Sequence, residues 1–114
     1  MKEKSCENLS GDELVRVLAA LSNPHRLRIL GVLASRRLHV SELAREVGLS
    51  RPLVHMHLQR LEAAGLVSGQ LELSAEGRAM KFFEVIPFVL RLTPGAVAEA
   101  VQTLSEKSNK EGIE

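Results

Sequence analysis

The chain has 114 residues, of which 45% are hydrophobic and 25% are charged, and its formal net charge is +1. Length and composition are typical of one globular domain, so we take residues 1–114 as a single domain; they exclude a disordered, collagen-like or disulfide-stapled protein. This near-neutral net charge argues at first against a nucleic-acid-binding protein, since such proteins usually have more basic than acidic residues.

The first two predicted helices follow recognisable cap signals. Residues 1–9 are polar, and we expect a mobile tail there. Ser10 and Glu13 have the spacing of a capping box, which predicts a helix over 11–21. Asn23 and Pro24 then suit the cap and first position of a second helix over about 24–35. The apolar face predicted for this second helix comprises Leu27, Ile29, Leu30, Leu33 and Ala34.

Two further helices with a tight turn between them predict a helix-turn-helix over 40–64. The third helix is short, and Gly48 supplies the left-handed residue that ends it. Ser50, only two residues later, caps a fourth helix over 51–64, which Gly65 terminates. A short helix, a glycine turn and a capped second helix are the signature of this motif. At 100° per residue, the buried face of the fourth helix comprises Val54, Leu58 and Leu61, and His57 borders that face as a packing residue.

After Gly65 the apolar period changes from 3.6 to 2, which predicts a β-hairpin over 66–86. Val67, Leu71 and Leu73 fall on one face of its first strand, and residues 74–78 form the turn. Thr93 and Pro94 then begin a fifth helix, predicted over 94–107 and followed by a mobile tail over 108–114. The fold class is therefore mainly α with a small β-hairpin (α+β), a winged helix-turn-helix.

From about Leu18 to Thr93 the sequence resembles the ArsR/SmtB family of bacterial and archaeal repressors. The resemblance is carried by the segments ALSNPHRLRIL (20–30), VSELA (40–44), LSRPLVHMHL (49–58) and LEAAGLV (61–67). It implies a homodimeric transcriptional regulator, with double-stranded DNA as its partner and the fourth helix in the major groove. It also implies that the first and fifth helices form the dimer interface.

The outer face of the fourth helix carries the candidate DNA contacts. Gln59 can pair with an adenine edge, Arg51 can reach guanine or phosphate, and Met56 can touch a thymine methyl group. Arg78, beside Gly77 in the wing at 74–81, can enter a minor groove or hold a phosphate, with Lys81 on the returning strand. The full predicted set is Ser50, Arg51, Pro52, His55, Met56, Gln59, Arg60, Arg78 and Lys81. The bland interpretation of these residues is a solvated helix face and a mobile turn.

Two apolar stripes are candidates for the dimer interface. They comprise Leu14, Leu18 and Leu21 on the first helix and Val97, Val101 and Leu104 on the fifth. These stripes could instead pack within their own domain. Two subunits would place two recognition helices about 34 Å apart, one turn of DNA.

The charge is distributed unevenly. Residues 24–60 contain seven Arg against Glu42 and Glu46, while residues 61–114 contain five basic and eight acidic side chains. The basic third coincides with the helix-turn-helix, so the neutral total hides a basic face. We therefore expect DNA binding with modest non-specific affinity.

The sequence gives little sign of a cofactor, a metal or catalysis. Where some family members have a Cys-X-Cys metal motif, this chain has His39-Val40-Ser41, and its fifth helix offers Glu99 and Glu106 but no His. We therefore predict no metal site and no cofactor. A redox role for the single Cys6 stays open. No spacing sets a nucleophile against an oriented base, so we predict that the protein is not an enzyme.

The remaining interpretations concern location and function class. Residues 1–9 lack the apolar stretch of a signal peptide, and the most apolar run, 82–90, is far short of the ~20 residues of a membrane helix. We therefore expect a cytoplasmic protein with no membrane partner. There are two alternatives to a specific regulator. One is a non-specific architectural DNA-binding protein. The other is a winged-helix protein-interaction module, which the acidic C-terminal half favours.

Overall fold

The computed structural model describes residues 4–5 and 9–105. In chain order, its elements are β1 (Lys4–Ser5), α1 (Gly11–Leu21), α2 (Pro24–Leu33), β2 (Leu38–His39), α3 (Val40–Val47), α4 (Arg51–Ala63), β3 (Val67–Leu73), β4 (Ala79–Val85), β5 (Phe88–Val89) and α5 (Pro94–Val101). This order confirms the predicted mainly α fold with a hairpin between the fourth and fifth helices.

The predicted N-caps are all present, because each depends on residues close together in the chain. Ser10 Oγ accepts a hydrogen bond from the backbone N–H of Glu13, and Glu13 Oε1 accepts one from the N–H of Ser10, at 3.1 and 2.9 Å. The side chains of Asn23, Ser50 and Thr93 accept hydrogen bonds from N–H groups in the first turns of α2, α4 and α5. Each cap satisfies N–H groups that the helix itself leaves unpaired.

Helices α1 to α4 and the sheet enclose one hydrophobic core. Val54, Leu58 and Leu61 on α4 are fully buried, which confirms the predicted inner face of that helix. The largest fully buried side chains are Val17, Ile29, Leu43, Val54, Leu58, Leu61, Leu66, Val67 and Phe83. This core fixes which face of α4 points outward.

The sheet has three antiparallel strands in the order β2-β4-β3. The hairpin strands β3 and β4 pair from Val67 and Val85 at the base to Leu73 and Ala79 near the tip. The short β2, which the sequence did not predict, pairs with β4 at Phe82 and Phe83. Because α3 follows β2 directly, this pairing ties the base of the hairpin to the first helix of the helix-turn-helix.

Three predicted boundaries or faces are wrong. Leu27 is 54% exposed and Ala34 lies beyond the end of α2, so only Ile29, Leu30 and Leu33 form its buried face. Lys4–Ser5, in the predicted N-terminal mobile tail, pair in parallel with Phe88–Val89. The fifth helix ends at Val101 and not at 107, because i→i−3 hydrogen bonds tighten the chain at 102–104. Cys6 and the predicted tail over 108–114 lie outside the described residues.

The segment after α5 is attached to the start of α1. The backbone N–H of Gly11 donates to Thr103 Oγ1 at 2.7 Å, and the N–H of Ser105 donates to Asp12 Oδ1 at 3.0 Å. A Cβ atom on Gly11 would lie 2.2 Å from the carbonyl oxygen of Ala100. Only a glycine therefore permits α1 and α5 to approach this closely.

Candidate nucleic-acid interface

The turn between α3 and α4 is short and well defined. Gly48 has a φ of 71°, and the N–H groups of Gly48 and Leu49 both donate to the carbonyl of Ala44, at 2.9 and 3.2 Å. Ser50 Oγ then accepts from the N–H of Leu53 at 3.4 Å and begins α4. A residue with positive φ followed at once by a new N-cap fixes the angle between the two helices.

The residues predicted on the outer face of α4 are all solvent-exposed in the structure. They are Arg51, Pro52, His55, Met56, Gln59 and Arg60. Because Val54, Leu58 and Leu61 are buried on the opposite side, α4 presents to solvent a face on which the polar side chains stand beside Pro52 and Met56. Among these side chains, Gln59 and the two arginines have the donor and acceptor groups that base edges and phosphates require.

A hydrogen-bonded cluster holds the inner side of α4. His57 is 4% exposed, and its Nδ1 accepts a hydrogen bond from Arg26 Nε at 3.2 Å. The same guanidinium donates to the carbonyls of Ala19 and Ala20 near the end of α1. Arg26 thus joins three helices. The pKa of His57 is lowered, first by burial and then by electrostatic interaction with Arg26, His25 and Arg60.

The cations near this face fall into two groups. Arg36 pairs with Glu46 at 2.8 Å, Arg37 pairs with Glu72, and Lys81 lies 3.9 Å from Glu62. A second group has no carboxylate within 4 Å among the residues that the structure describes. Its members on α3, α4 and the hairpin are Arg45, Arg51, Arg60 and Arg78. These four cations are the ones available to neutralise an external anion.

The hairpin tip presents Arg78 as predicted. Gly77 has a φ of 81°, and its N–H donates to the carbonyl of Ser74 at 2.9 Å, which closes the turn and leaves Arg78 exposed. Lys81 is engaged within the chain, since its Nζ lies 5.3 Å from the centre of the Phe83 ring as well as near Glu62. Arg78 is therefore the freer of the two predicted wing contacts.

The sequence prediction missed Ser41 and Arg45. Both line an open cavity of about 390 Å³ between α3 and the start of α4, together with Ala44, Leu49 and Arg51. Neither residue type is unusual on a helix surface, so no local signal marks them. Their significance depends on how α3 and α4 pack.

The predicted dimer residues divide into buried and exposed groups. Leu14 is 6% exposed and packs against Ala100 of the same chain, and Leu21 packs on the main core. Leu104 is half-buried. Leu18, Val97 and Val101 are exposed, as is Val15 on α1. Helices α1 and α5 therefore contact each other within the chain and still present apolar side chains to solvent.

His39, one of the residues compared above with a Cys-X-Cys motif, is the N-cap of α3. Its Nδ1 accepts a hydrogen bond from the N–H of Glu42, and Glu42 Oε1 accepts one from the N–H of His39. The pair forms a capping box at the start of α3. Over residues 4–5 and 9–105, no group of three or more potential metal-ligating side chains occurs, and no helix has the length and apolar character needed to span a membrane.

Comparison with known proteins places this geometry in a family. Residues 23–68 match the family model described as bacterial regulatory protein, arsR family. The chain is 41% identical over 76 residues to an uncharacterized HTH-type transcriptional regulator of Methanocaldococcus jannaschii, a match that covers 67% of this chain and 79% of that protein.

Solved structures share the fold. The crystal structure of NolR from Sinorhizobium fredii is 29% identical, with a TM-score of 0.56 and 84% of each chain covered. A protein from Mycobacterium bovis, described as a homodimeric winged helix-turn-helix DNA-binding domain, is 22% identical. Its TM-score is 0.59, with 90% of this chain and 82% of that chain covered, a likeness that shows the fold alone.

Proposed function

This chain belongs to the arsR family of bacterial regulatory proteins, and we propose that it is a homodimeric transcriptional regulator that binds specific double-stranded DNA. Helix α4 would enter the major groove, and the wing around Arg78 would contact the backbone or the minor groove. We further propose that it acts as a repressor in the cytoplasm, without catalytic activity and without a metal or other cofactor.

The observation that carries the proposal is the two-sided character of α4. Its inner face is fixed in the core by fully buried apolar residues, while its outer face exposes polar side chains beside Met56 and has Arg51 at its start. Recognition helices read base edges mainly through their N-terminal residues, so the core must hold them in a fixed orientation. The unpaired arginines around this face supply the phosphate contacts that give most of the affinity for DNA.

The proposal is tested by titrating labelled promoter duplexes, including the protein's own upstream region, against a random duplex. We expect fluorescence anisotropy to give tighter binding to one promoter sequence, with strong salt dependence. Equal affinity for every duplex would instead indicate a non-specific architectural protein. Absence of binding to any duplex would indicate a protein-interaction module.

Gln59 and Arg78 are expected to contribute in different ways. Gln59→Ala removes a possible bidentate contact to adenine, which corresponds to about 1–3 kcal/mol of discrimination between bases. We therefore expect weaker binding to the operator and little change on random DNA. Arg78→Ala should weaken both duplexes by a similar factor and lower the salt slope by about 1. Anisotropy titrations at four salt concentrations separate the two patterns, and identical behaviour of both variants would contradict this division.

The dimer interface is proposed on the exposed apolar side chains of α1 and α5. Leu18 lies on α1, and Val97 and Val101 lie on α5, with 37%, 44% and 54% of their surfaces exposed. In a two-fold interface each of these side chains occurs twice. The two copies of the small apolar patch then form one continuous apolar surface.

Placing a carboxylate in this patch should separate the subunits. Val97→Glu would bury two unpaired charges in a symmetric interface, so we expect the dimer dissociation constant to rise at least about 100-fold, equivalent to ~3 kcal/mol. Light scattering at micromolar concentration measures the oligomeric state. Leu53→Glu is the matched control, since Leu53 is 46% exposed, close to the value for Val97, but lies on α4. A Val97→Glu protein that remains dimeric would place the interface elsewhere.

A further inference from the structure

We propose that Ser41, Arg45 and Arg51 form a binding pocket for one phosphate of the DNA backbone, between α3 and the start of α4. The inference rests on the proposed function, since the ligand is part of the same duplex that α4 would read. It adds two residues, Ser41 and Arg45, that neither the sequence prediction nor the comparisons assign to DNA binding.

The site is an open cavity between α3 and α4. The cavity of about 390 Å³ is open to solvent and is lined by Ser41, Ala44, Arg45, Leu49 and Arg51. It therefore lies beside the first turn of α4, next to the outer face that would contact bases. A phosphate that enters there would be at the edge of the groove occupied by α4.

Ser41 and Arg51 are hydrogen-bonded to each other across the pocket. Arg51 Nη1 donates to Ser41 Oγ at 3.3 Å, so the guanidinium is turned back toward α3. Because the Ser41 oxygen accepts this bond, its own O–H remains a donor for another group. Arg45 adds a further guanidinium on the same side. The pocket thus presents donors from three side chains, and a phosphate oxygen is the acceptor that suits them.

The carboxylates nearest the pocket are paired with other residues. Helix α3 contains two, and both are engaged away from the pocket. Glu42 accepts from the N–H of His39 at 3.3 Å and lies 3.4 Å from its Nε2, while Glu46 pairs with Arg36 at 2.8 Å. Arg45, between them in sequence, has no carboxylate partner among the described residues. The pocket therefore keeps an uncompensated positive charge.

A phosphate held at this point would carry no sequence information but would fix the register of α4 in the groove. The contact is expected to strengthen binding to every duplex by a similar factor. This behaviour distinguishes it from a base contact such as that proposed for Gln59.

The test uses Arg45→Gln, with Arg16→Gln as the matched control. Arg16 lies on α1 and lines a cleft with residues 62–65 at the other end of α4, so its replacement removes the same charge at a distance from the pocket. We measure the anisotropy-derived affinity for the operator and for random DNA at four salt concentrations. Arg45→Gln should reduce the slope of log K against log salt by about 0.9, with similar losses on both duplexes, and Arg16→Gln should not.

A second measurement locates the phosphate. Single methylphosphonate linkages, which remove one phosphate charge each, are placed in turn along the operator. One position should weaken binding of the wild-type chain but not of Arg45→Gln. A salt slope that Arg45→Gln leaves at the wild-type value, or a scan with no such position, would overturn the pocket while leaving the proposed function intact. Absence of duplex binding by the wild-type chain would overturn both.

Discussion

Replacing Gly11 by Ala is expected to destabilise the protein, although alanine is the better helix former. The new Cβ would lie 2.2 Å from the carbonyl oxygen of Ala100 and 2.8 Å from Cγ of Leu104. The first of these atoms belongs to the backbone, so α1 and α5 must move apart. Overpacking of this kind costs about 1–3 kcal/mol. Urea unfolding followed by circular dichroism, at fixed protein concentration, measures the loss.

Gly31→Ala is the matched control for this prediction. Gly31 lies within α2, and a Cβ placed there has no neighbouring atom within 4 Å. The same substitution should therefore stabilise the protein by about 0.5–1 kcal/mol through helix propensity alone. Because the displaced α5 carries Val97 and Val101, Gly11→Ala should also weaken the proposed dimer. Equal stabilisation by both variants would mean that the contact between α1 and α5 tolerates a methyl group.

Replacing Arg26 by Met is expected to destabilise the protein. The change leaves the buried His57 Nδ1 without its donor and removes the hydrogen bonds to Ala19 and Ala20. An unsatisfied buried polar group costs about 1–3 kcal/mol. His57→Leu alone should cost a similar amount. The double variant should lose less than the sum, because the two residues share one interaction. Additive losses in urea unfolding would show that Arg26 and His57 act independently.

His57 should also make stability depend on pH. Its pKa in the folded protein is lowered from the ordinary 6.5, so the unfolded chain takes up the proton first as the pH falls. Stability from neutral His57 is therefore complete above pH 6.5 and is lost on acidification below it. Unfolding measured between pH 7.5 and 5 should show a steeper loss for the wild type than for His57→Leu. Parallel curves would contradict this assignment.

The features that the sequence predicted correctly are those that depend on neighbouring residues. The caps at Ser10, Asn23, Ser50 and Thr93 each join groups two or three positions apart. The buried stripe of α4 follows from helical spacing, because Val54, Leu58 and Leu61 recur three or four residues apart. Such signals do not depend on how distant elements pack.

The errors come from packing between elements. On α2, the inward face includes position 26, so Arg26 points into the structure and Leu27 points out. A pattern of apolar residues could not show this, because the partners of Arg26 lie on α1 and α4. Likewise, Ser41 and Arg45 line a pocket only because α4 begins beside them. The short β2 has two residues, too few to display a period.

The exposed strand β3 also affects how readily the protein molecules associate with one another. Strand β3 lies at the edge of the three-stranded sheet, and its Leu71 and Leu73 are 73% and 75% exposed. An edge strand with free backbone groups and exposed apolar side chains is a template for association with further strands. We therefore expect Leu71 and Leu73 of β3 to promote association between molecules that are not bound to DNA. Leu73→Glu should accordingly raise the concentration at which the purified protein remains soluble.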